Sequence, residues 1–141
     1  MIYDYSVSVI AFEKDNRKFG MTCAWFMPAD YDKLLCLLGT QSVTGHNINK
    51  GDIIGVSILG VDQANIATKI GDKHSDEVDK FIDVNYEQKD TAILINNAPR
   101  KMVCKVIDVL HLEGIEADNL IYLNILSNEE TDKEFLHYSN I

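Results

Sequence analysis

Apolar residues alternate with other residues along several short stretches of the chain, and this pattern predicts β-strands. In the first stretch Val7, Val9 and Ala11 recur at a period of two. Val109 and Leu110 break the alternation of a later stretch, which predicts a β-bulge there. The pattern predicts strands over residues 5–12, 20–27, 33–39, 52–59, 91–95, 100–114 and 119–127.

The predicted strand over residues 20–27, GMTCAWFM, does not have one apolar side and one polar side. Trp25 and Phe26 are adjacent, so their rings should point to opposite faces of the sheet. Pro28 should end the strand, because proline cannot donate a ladder hydrogen bond. Such a strand is either buried on both faces or keeps its backbone accessible to a ligand, and the pattern alone leaves both interpretations open.

Short helices are predicted between the strands in the middle of the chain. Ser42 or Thr44 can cap a short helix that ends near Gly51. Asp62 is a candidate N-cap for a second helix, which has an apolar stripe on one side. A third helical turn should begin near Ser75.

The order of these elements predicts the fold class. The regular alternation of strands and helices that a parallel, doubly wound sheet requires is absent. An antiparallel barrel explains a chain of many strands, because closing the sheet removes its exposed edges. We therefore predict a mainly β fold, a β-barrel with short inserted helices, in a single domain over residues 1–141.

The charge of the chain argues against two classes of partner. The sequence has 13 Lys and Arg against 22 Asp and Glu, a formal net charge of −9. Such a chain repels both nucleic acid and an anionic membrane surface. A small anionic ligand remains compatible, because hydroxyls and backbone amides bind phosphate locally. No stretch approaches the roughly 20 apolar residues of a membrane span, and the first residues lack the pattern of a signal peptide.

The cysteines and histidines show no metal-binding pattern. Cys23, Cys36 and Cys104 are widely spaced within apolar runs, which is typical of buried thiols in a reducing compartment. No two of the four histidines have the helical spacing of a metal pair. We therefore expect a cytoplasmic protein with no metal site.

The segment LLGTQSVTGHNI (residues 37–48) is the best candidate for chemistry. Gly39 frees the backbone, and the side chains that follow offer hydrogen-bond donors that hold a phosphate without Lys or Arg. These side chains belong to Thr40, Gln41, Ser42 and Thr44. An ordinary capped turn explains the same residues equally well. Ser57 in GVSILG lies in an alternating run, so we interpret it as an ordinary strand serine rather than a nucleophile.

Five segments, taken in order, resemble the flavin reductase-like family, whose members are split β-barrels that bind flavin mononucleotide (FMN). No single segment is decisive, but five matches in one order cover most of the chain. The segments are GMTCAWFMPADYDKLL (20–35), CLLGTQSVTGHNI (36–48), IIGVSILGVDQANIATKIG (53–71), DKF (79–81) and KMVCKVIDVLHLEGIEADN (101–119).

The resemblance implies an FMN-binding split β-barrel of antiparallel Greek-key type. It places the flavin ring along the strand at Thr22, Cys23, Ala24 and Trp25. It places the phosphate at Thr40, Gln41, Ser42 and Thr44. It also implies a homodimer with the flavin near the subunit interface. Members either pass hydride from NADH or NADPH to flavin or pass electrons from bound flavin to a partner protein, and no catalytic side chain is required because the cofactor carries the chemistry.

The chain departs from the family pattern at four positions. Ala24 and Asp30 stand where serine is common, and Lys33 replaces a proline. Asn119 stands where reductases commonly carry a histidine near the nicotinamide. A flavin site tolerates these changes better than nicotinamide turnover does, and Asp30 close to a flavin would oppose a negative charge on the reduced ring.

Two other hypotheses remain open from the sequence. In the first, the split barrel has lost its cofactor and serves as a binding or assembly module, or carries flavin without nicotinamide-dependent turnover. In the second, a related barrel binds another ligand. That ligand is either haem, with His46 or His111 as axial residue, or a nitro compound together with flavin.

Overall fold

A computed structural model describes residues 2–39, 42–71 and 79–141 of the chain. Within these ranges the chain forms nine β-strands and two short α-helices. The helices are α1 (Val43–His46) and α2 (Ala64–Gly71). The strands are β1 (Ser8–Lys14), β2 (Arg17–Cys23), β3 (Phe26–Asp30), β4 (Lys33–Leu38), β5 (Ile53–Ile58), β6 (Tyr86–Lys89), β7 (Ala92–Ile95), β8 (Arg100–Leu110) and β9 (Asn119–Glu130).

The strands form one antiparallel sheet that rolls into a barrel, which confirms the predicted mainly β class. The main path runs β3-β4-β9-β8-β5-β1, and β2 pairs with β1 on its other edge. β2 and β3 therefore lie at opposite ends of the path, yet only Ala24 and Trp25 separate them in the chain. This short connection brings the two ends of the sheet together and closes the barrel.

Two hydrophobic cores lie on opposite faces of β1. Ile10 and Phe12 point into the barrel and pack with the inner faces of β4, β5, β8 and β9. Val9 and Ala11 point outward into a second core, built with α2, β7 and Leu136. Burial on both faces explains why β1 is apolar along most of its length. The alternation in the sequence therefore marks two interiors rather than a buried face and a solvated face.

β7 crosses directly over β5, and the contact involves backbone atoms. A Cβ placed on Gly55 would lie 2.0 Å from the carbonyl oxygen of Ile93. Two residues further along β5, the fully buried Ser57 accepts a hydrogen bond from the Ile95 N–H at 2.9 Å. Ser57 therefore satisfies a buried backbone donor, in agreement with its interpretation as an ordinary strand serine.

The predicted strand over residues 20–27 is wrong in two respects. It is interrupted at Ala24 and Trp25, so its two halves belong to β2 and β3. Pro28 does not end a strand but lies inside β3, opposite Leu34 of β4. The physical reason is that β3 is the edge of the main sheet path, where a proline removes no ladder hydrogen bond.

Other boundaries also differ from the prediction. The helix after Ser42 ends at His46 rather than near Gly51. A 3-10 turn capped by Gly60 precedes α2, so Asp62 is not the cap of that helix.

The sequence pattern missed β6, a short strand with only polar and aromatic residues. The register of β8 shifts between Val103 and Cys104 and between Val106 and Asp108, upstream of the predicted bulge. The helical turn predicted from Ser75 lies outside the described residues.

Within the described ranges no helix is both long enough and apolar enough to cross a membrane.

Candidate functional site

The junction between β2 and β3 exposes an aromatic side chain beside polar backbone groups. The Leu37 N–H donates to the carbonyl of Trp25 at 3.1 Å, and the Phe26 N–H donates to the carbonyl of Ala24 at 3.1 Å. These bonds hold the junction against the end of β4. The Trp25 side chain is 52% exposed, although tryptophan is usually largely covered. The junction therefore presents an ordered apolar surface to solvent.

One edge of the β2 backbone has no strand paired to it among the described residues. Within the described residues β2 pairs with β1 alone. The carbonyl of Gly20 accepts hydrogen bonds from Thr44 and Lys80, so it points away from β1. In an antiparallel ladder the backbone direction alternates with each residue. Thr22, two residues further along, therefore presents its N–H and C=O on the same edge.

The side chains of Thr22 and Cys23 are turned away from that edge. The Thr22 hydroxyl donates to the Ala67 carbonyl of α2 at 2.7 Å. The Cys23 thiol lies inside the barrel and contacts the Leu37 carbonyl at 3.7 Å. Burial raises the pKa of the Cys23 thiol to about 11, so it is neutral at physiological pH. A ligand on this strand would therefore be bound through backbone groups, with Ala24 offering little steric hindrance.

The hydroxyl-bearing loop begins α1 and is tied to β2. Ser42 is the N-cap of α1, because its Oγ accepts the Gly45 N–H at 2.9 Å. The same hydroxyl lies 3.1 Å from the Met21 sulfur, and the buried Thr44 hydroxyl donates to the Gly20 carbonyl at 3.0 Å. The structure thus brings Ser42 and Thr44 next to the strand that carries Thr22. The other two predicted phosphate-binding residues, Thr40 and Gln41, lie outside the described residues.

Lys80 is a buried charged residue that the sequence reasoning did not select. Its side chain is only 6% exposed, and its ammonium group donates to the Gly20 carbonyl at 2.8 Å. Lys80 and Thr44 therefore meet at one backbone oxygen, which joins three separate parts of the chain. The DKF string (79–81) is one of the segments that resemble the family, but a lysine in a polar segment carries no signal of burial.

We expect Lys80→Met to destabilise the fold by about 2 kcal/mol, because a charged donor to a buried carbonyl is lost. Lys18→Met is the matched control. Lys18 forms only a partly exposed ion pair with Asp79 at 3.8 Å, so its loss should cost less than about 1 kcal/mol. Urea unfolding followed by circular dichroism measures both values. Equal effects of the two substitutions would show that the Gly20 contact has no special role.

Residues at which the sequence departs from the family are dispersed in the structure. Asp30 ends β3, about 13 Å along the strand from Phe26, so its charge lies outside the junction. Asn119 begins β9, and its side-chain amide donates to the Gly45 carbonyl of α1 at 3.1 Å. Asn119 therefore supports the hydroxyl-bearing loop. Lys33 pairs with the adjacent Asp32 at 2.7 Å on the surface.

The remaining titratable candidates do not form a reactive cluster in the described residues. Burial raises the pKa of Cys104 to about 12 and that of Cys36 well above its usual value, so both thiols are protonated. His46 and His111 are both exposed. The described residues contain no group of three His, Cys, Asp or Glu side chains that could hold a metal ion.

A broad apolar cleft adjoins Trp25 on the outer face of the barrel. Its volume is about 530 Å³. Side chains of β3, β4 and β9 line it, together with residues from the segment before β1, the β2–β3 junction and the loop between β8 and β9. We call this surface the apolar face and define it by Tyr3, Trp25, Met27, Leu35, Leu37, Leu112 and Leu120. The sequence pattern gave no sign of it, because its members come from five distant segments.

The fold and the junction define a class of protein, the split β-barrels in which a strand with one unpaired edge lies next to a hydroxyl-bearing loop. The chain matches the family model described as the flavin reductase like domain over residues 2–140. It therefore belongs to the flavin reductase-like family, which confirms the resemblance seen in its sequence. No curated protein sequence matches the chain significantly.

Solved structures share this fold at low sequence identity. The NADH:FAD oxidoreductase of Streptomyces globisporus C-1027 superposes with a TM-score of 0.86 at 19% identity, over 98% of this chain and 83% of its own. Flavoredoxin from Methanosarcina acetivorans gives 0.80 at 15% identity, over 94% and 72%. An FMN-binding protein from Thermus thermophilus gives 0.79 at 14% identity, over 92% and 74%. At such identities the similarity shows the fold alone.

Proposed function

We propose that this protein binds FMN at the junction of β2 and β3 and acts as a flavin-dependent oxidoreductase. The observation that carries the proposal is the bridge at the Gly20 carbonyl, where Thr44 and Lys80 join β2 to the hydroxyl-bearing loop. Membership in the flavin reductase-like family supports the flavin as ligand. Flavin, when bound, would supply the hydride and electron chemistry.

The residues at the junction suit the two chemically different parts of the cofactor. A flat aromatic ring with a polar rim needs an apolar wall and a few backbone donors and acceptors. Trp25 and the Thr22 backbone provide both kinds of contact. A phosphate needs hydroxyl and amide donors, which the start of α1 provides at Ser42. Lys80 and Thr44 both donate hydrogen bonds to the Gly20 carbonyl. These bonds fix the separation between β2 and the hydroxyl-bearing loop before any ligand binds.

An absorbance titration tests flavin binding directly. FMN, FAD and riboflavin are each added to purified protein, and bound flavin is measured by quenching of its fluorescence and by its shifted visible spectrum. We expect FMN to bind most tightly, because the hydroxyl-bearing loop recognises its terminal phosphate. A protein that binds none of the three flavins would contradict the proposal and favour an assembly module. That alternative has one supporting observation, since the hydroxyls of Thr22, Ser42 and Thr44 all have partners within the chain.

Turnover with a nicotinamide is a separate part of the proposal. One structural relative is named as an NADH:FAD oxidoreductase and another as a flavoredoxin, so the fold is compatible with a reductase and with an electron carrier. Stopped-flow measurements with NADH and with NADPH distinguish the two roles. Bleaching of the flavin spectrum faster than that of free FMN indicates a reductase. Bleaching at the rate of free FMN indicates a carrier that delivers electrons to a partner protein.

We further propose that a second copy of the chain covers the apolar face. Met27 and Trp25 are each 52% exposed there, a degree of exposure that a monomer would not favour for neighbouring large side chains. A dimer would thus place the junction close to the interface.

Met27→Asp should convert the dimer to a monomer, because it buries an unpaired carboxylate in an apolar interface. Ile82→Asp is the matched control, since Ile82 is 61% exposed and lies outside the apolar face. Light scattering after size exclusion should give twice the 15.9 kDa chain mass for the wild type and for the control. A wild-type protein that is monomeric at high concentration would overturn the dimer proposal. The flavin titration would remain a valid test of ligand binding in that case, because it does not depend on the oligomeric state.

All three cysteines are free thiols, which supports a reducing environment such as the cytoplasm.

A further inference from the structure

The barrel is open at the end where β1 begins, and a cavity occupies that end. It has a volume of about 180 Å³ and lies among the starts of β1, β3, β4 and β8 and the end of β5. We call it the barrel-end cavity. The walls are mostly apolar and include Phe26, Leu34, Val56, Ile58 and Met102, all of which belong to the barrel core or pack against it.

Six of the residues predicted to contact flavin are described by the structure, and none of these six lines the barrel-end cavity. The cavity is also too small for an isoalloxazine nucleotide, because pockets for drug-sized ligands have volumes of about 300–1,000 Å³. Tyr5, Phe26 and Met27 line both this cavity and the cleft on the apolar face, so the two spaces are neighbours. The cavity is therefore a distinct space near the candidate flavin site.

Ser8 places a hydroxyl group in this apolar cavity. Ser8 lies on the same face of β1 as Ile10 and Phe12, so its side chain points into the barrel. The residue is only 2% exposed, and its hydroxyl has no hydrogen bond to a residue that the structure describes. The oxygen is not fully enclosed by protein atoms, so a molecule in the cavity can bond to it. The hydroxyl thus gives the cavity one hydrogen-bonding position.

We propose that the barrel-end cavity binds a small, mainly apolar molecule that carries one hydrogen-bonding group, such as a simple phenol. The apolar walls would cover the hydrocarbon part, and Ser8 would bond to the single polar group. The size is suitable, since an apolar protein cavity of about 150 Å³ accommodates benzene. Charged ligands are disfavoured, because no charged side chain is among the described residues that line the cavity. This proposal does not depend on the proposed flavin chemistry.

Phenol and toluene are a matched pair of probes, because they have nearly the same size and only phenol carries a hydroxyl. Calorimetric titration of the full-length protein should show that both bind and that phenol binds about fivefold more tightly. Chemical shifts in ¹H–¹⁵N spectra should locate the probe at Ser8, Val56 and Ile58. Saturating FMN should leave phenol affinity unchanged, because the two sites are distinct.

Two substitutions at Ser8 test the role of the hydroxyl and of the space. Ser8→Ala should lower phenol affinity about fivefold and leave toluene affinity within twofold of the wild type. Ser8→Leu should abolish binding of both probes by filling the cavity, provided that circular dichroism shows a native fold. Absence of phenol binding to the wild type would overturn the proposal, since a bound water would then explain the unpaired hydroxyl. Equal losses of phenol and toluene in Ser8→Ala, or displacement of phenol by FMN, would overturn it as well.

Discussion

Ser42→Asp should lower FMN affinity by roughly 100-fold and leave riboflavin affinity unchanged, because only FMN carries a phosphate. Aspartate is as good an N-cap as serine, so α1 should keep its first turn. The new carboxylate would face the phosphate in the partly buried start of the helix. At an effective dielectric constant of 20, two unit charges 4 Å apart repel by about 4 kcal/mol, so a 100-fold loss, about 2.7 kcal/mol, is a moderate expectation.

The comparison of FMN with riboflavin separates a lost phosphate contact from damage to the fold. Ser42→Asn is the control, because asparagine caps a helix without adding charge. Its FMN affinity should stay within about fivefold of the wild type, the range expected for one altered neutral hydrogen bond. Fluorescence quenching titrations of the wild type and both variants with FMN and with riboflavin give the six dissociation constants. Equal weakening of FMN and riboflavin by Ser42→Asp would mean that the phosphate does not bind at this loop.

Gly55→Ala should cost more than about 4 kcal/mol of folding free energy and leave little folded protein. An added Cβ would lie 2.0 Å from the Ile93 carbonyl oxygen and 2.7 Å from the carbonyl carbon. Non-bonded carbon and oxygen atoms do not approach so closely. β7 cannot shift away from β5, because Ile93 and its neighbours are fully buried in a close-packed interior. Natural domains have a stability of only about 5–15 kcal/mol, so this single methyl group removes a large part of it.

Gly71→Ala is the control for that experiment. A Cβ on Gly71 would meet Thr22 at 3.4 Å, an ordinary contact, and alanine favours a helix by up to about 1 kcal/mol over glycine. Urea unfolding should therefore show an unchanged or higher stability for this variant. A Gly55→Ala protein as stable as the wild type would show that β5 and β7 are separated by more space than the structure indicates.

The strands of the barrel were largely predictable, because burial on one or both faces leaves a direct trace in the sequence. β1, β4, β5 and β7 all appear as apolar or alternating runs at nearly their observed positions. β6 left no trace, since its residues YEQK are stabilised by pairing with β7 rather than by burial of apolar side chains. The proline inside β3 was misread for a related reason. Whether a strand is an edge depends on its neighbours, which a local pattern does not contain.

The candidate site was predictable in part. The loop after β4 could be identified from its hydroxyls, and the capping role of Ser42 was recognised as one of two interpretations. The structure shows that the cap exists and that the loop also reaches β2 through Thr44. The burial of Lys80 could not be predicted from the sequence, because it depends on contacts with segments far away in the chain. The apolar face was missed because its residues are scattered through the chain.

By itself the sequence determined the mainly β class, the family and the two segments that form the candidate site. These features follow from local alternation, from turn chemistry and from the order of short motifs along the chain. Only the tertiary structure decided which backbone edge of β2 is unpaired, where the charge of Lys80 lies and that Ser8 faces a cavity. Each of these depends on contacts between residues far apart in sequence, such as the 60-residue separation between Gly20 and Lys80. Such contacts arise when the sheet closes, and no local pattern encodes them.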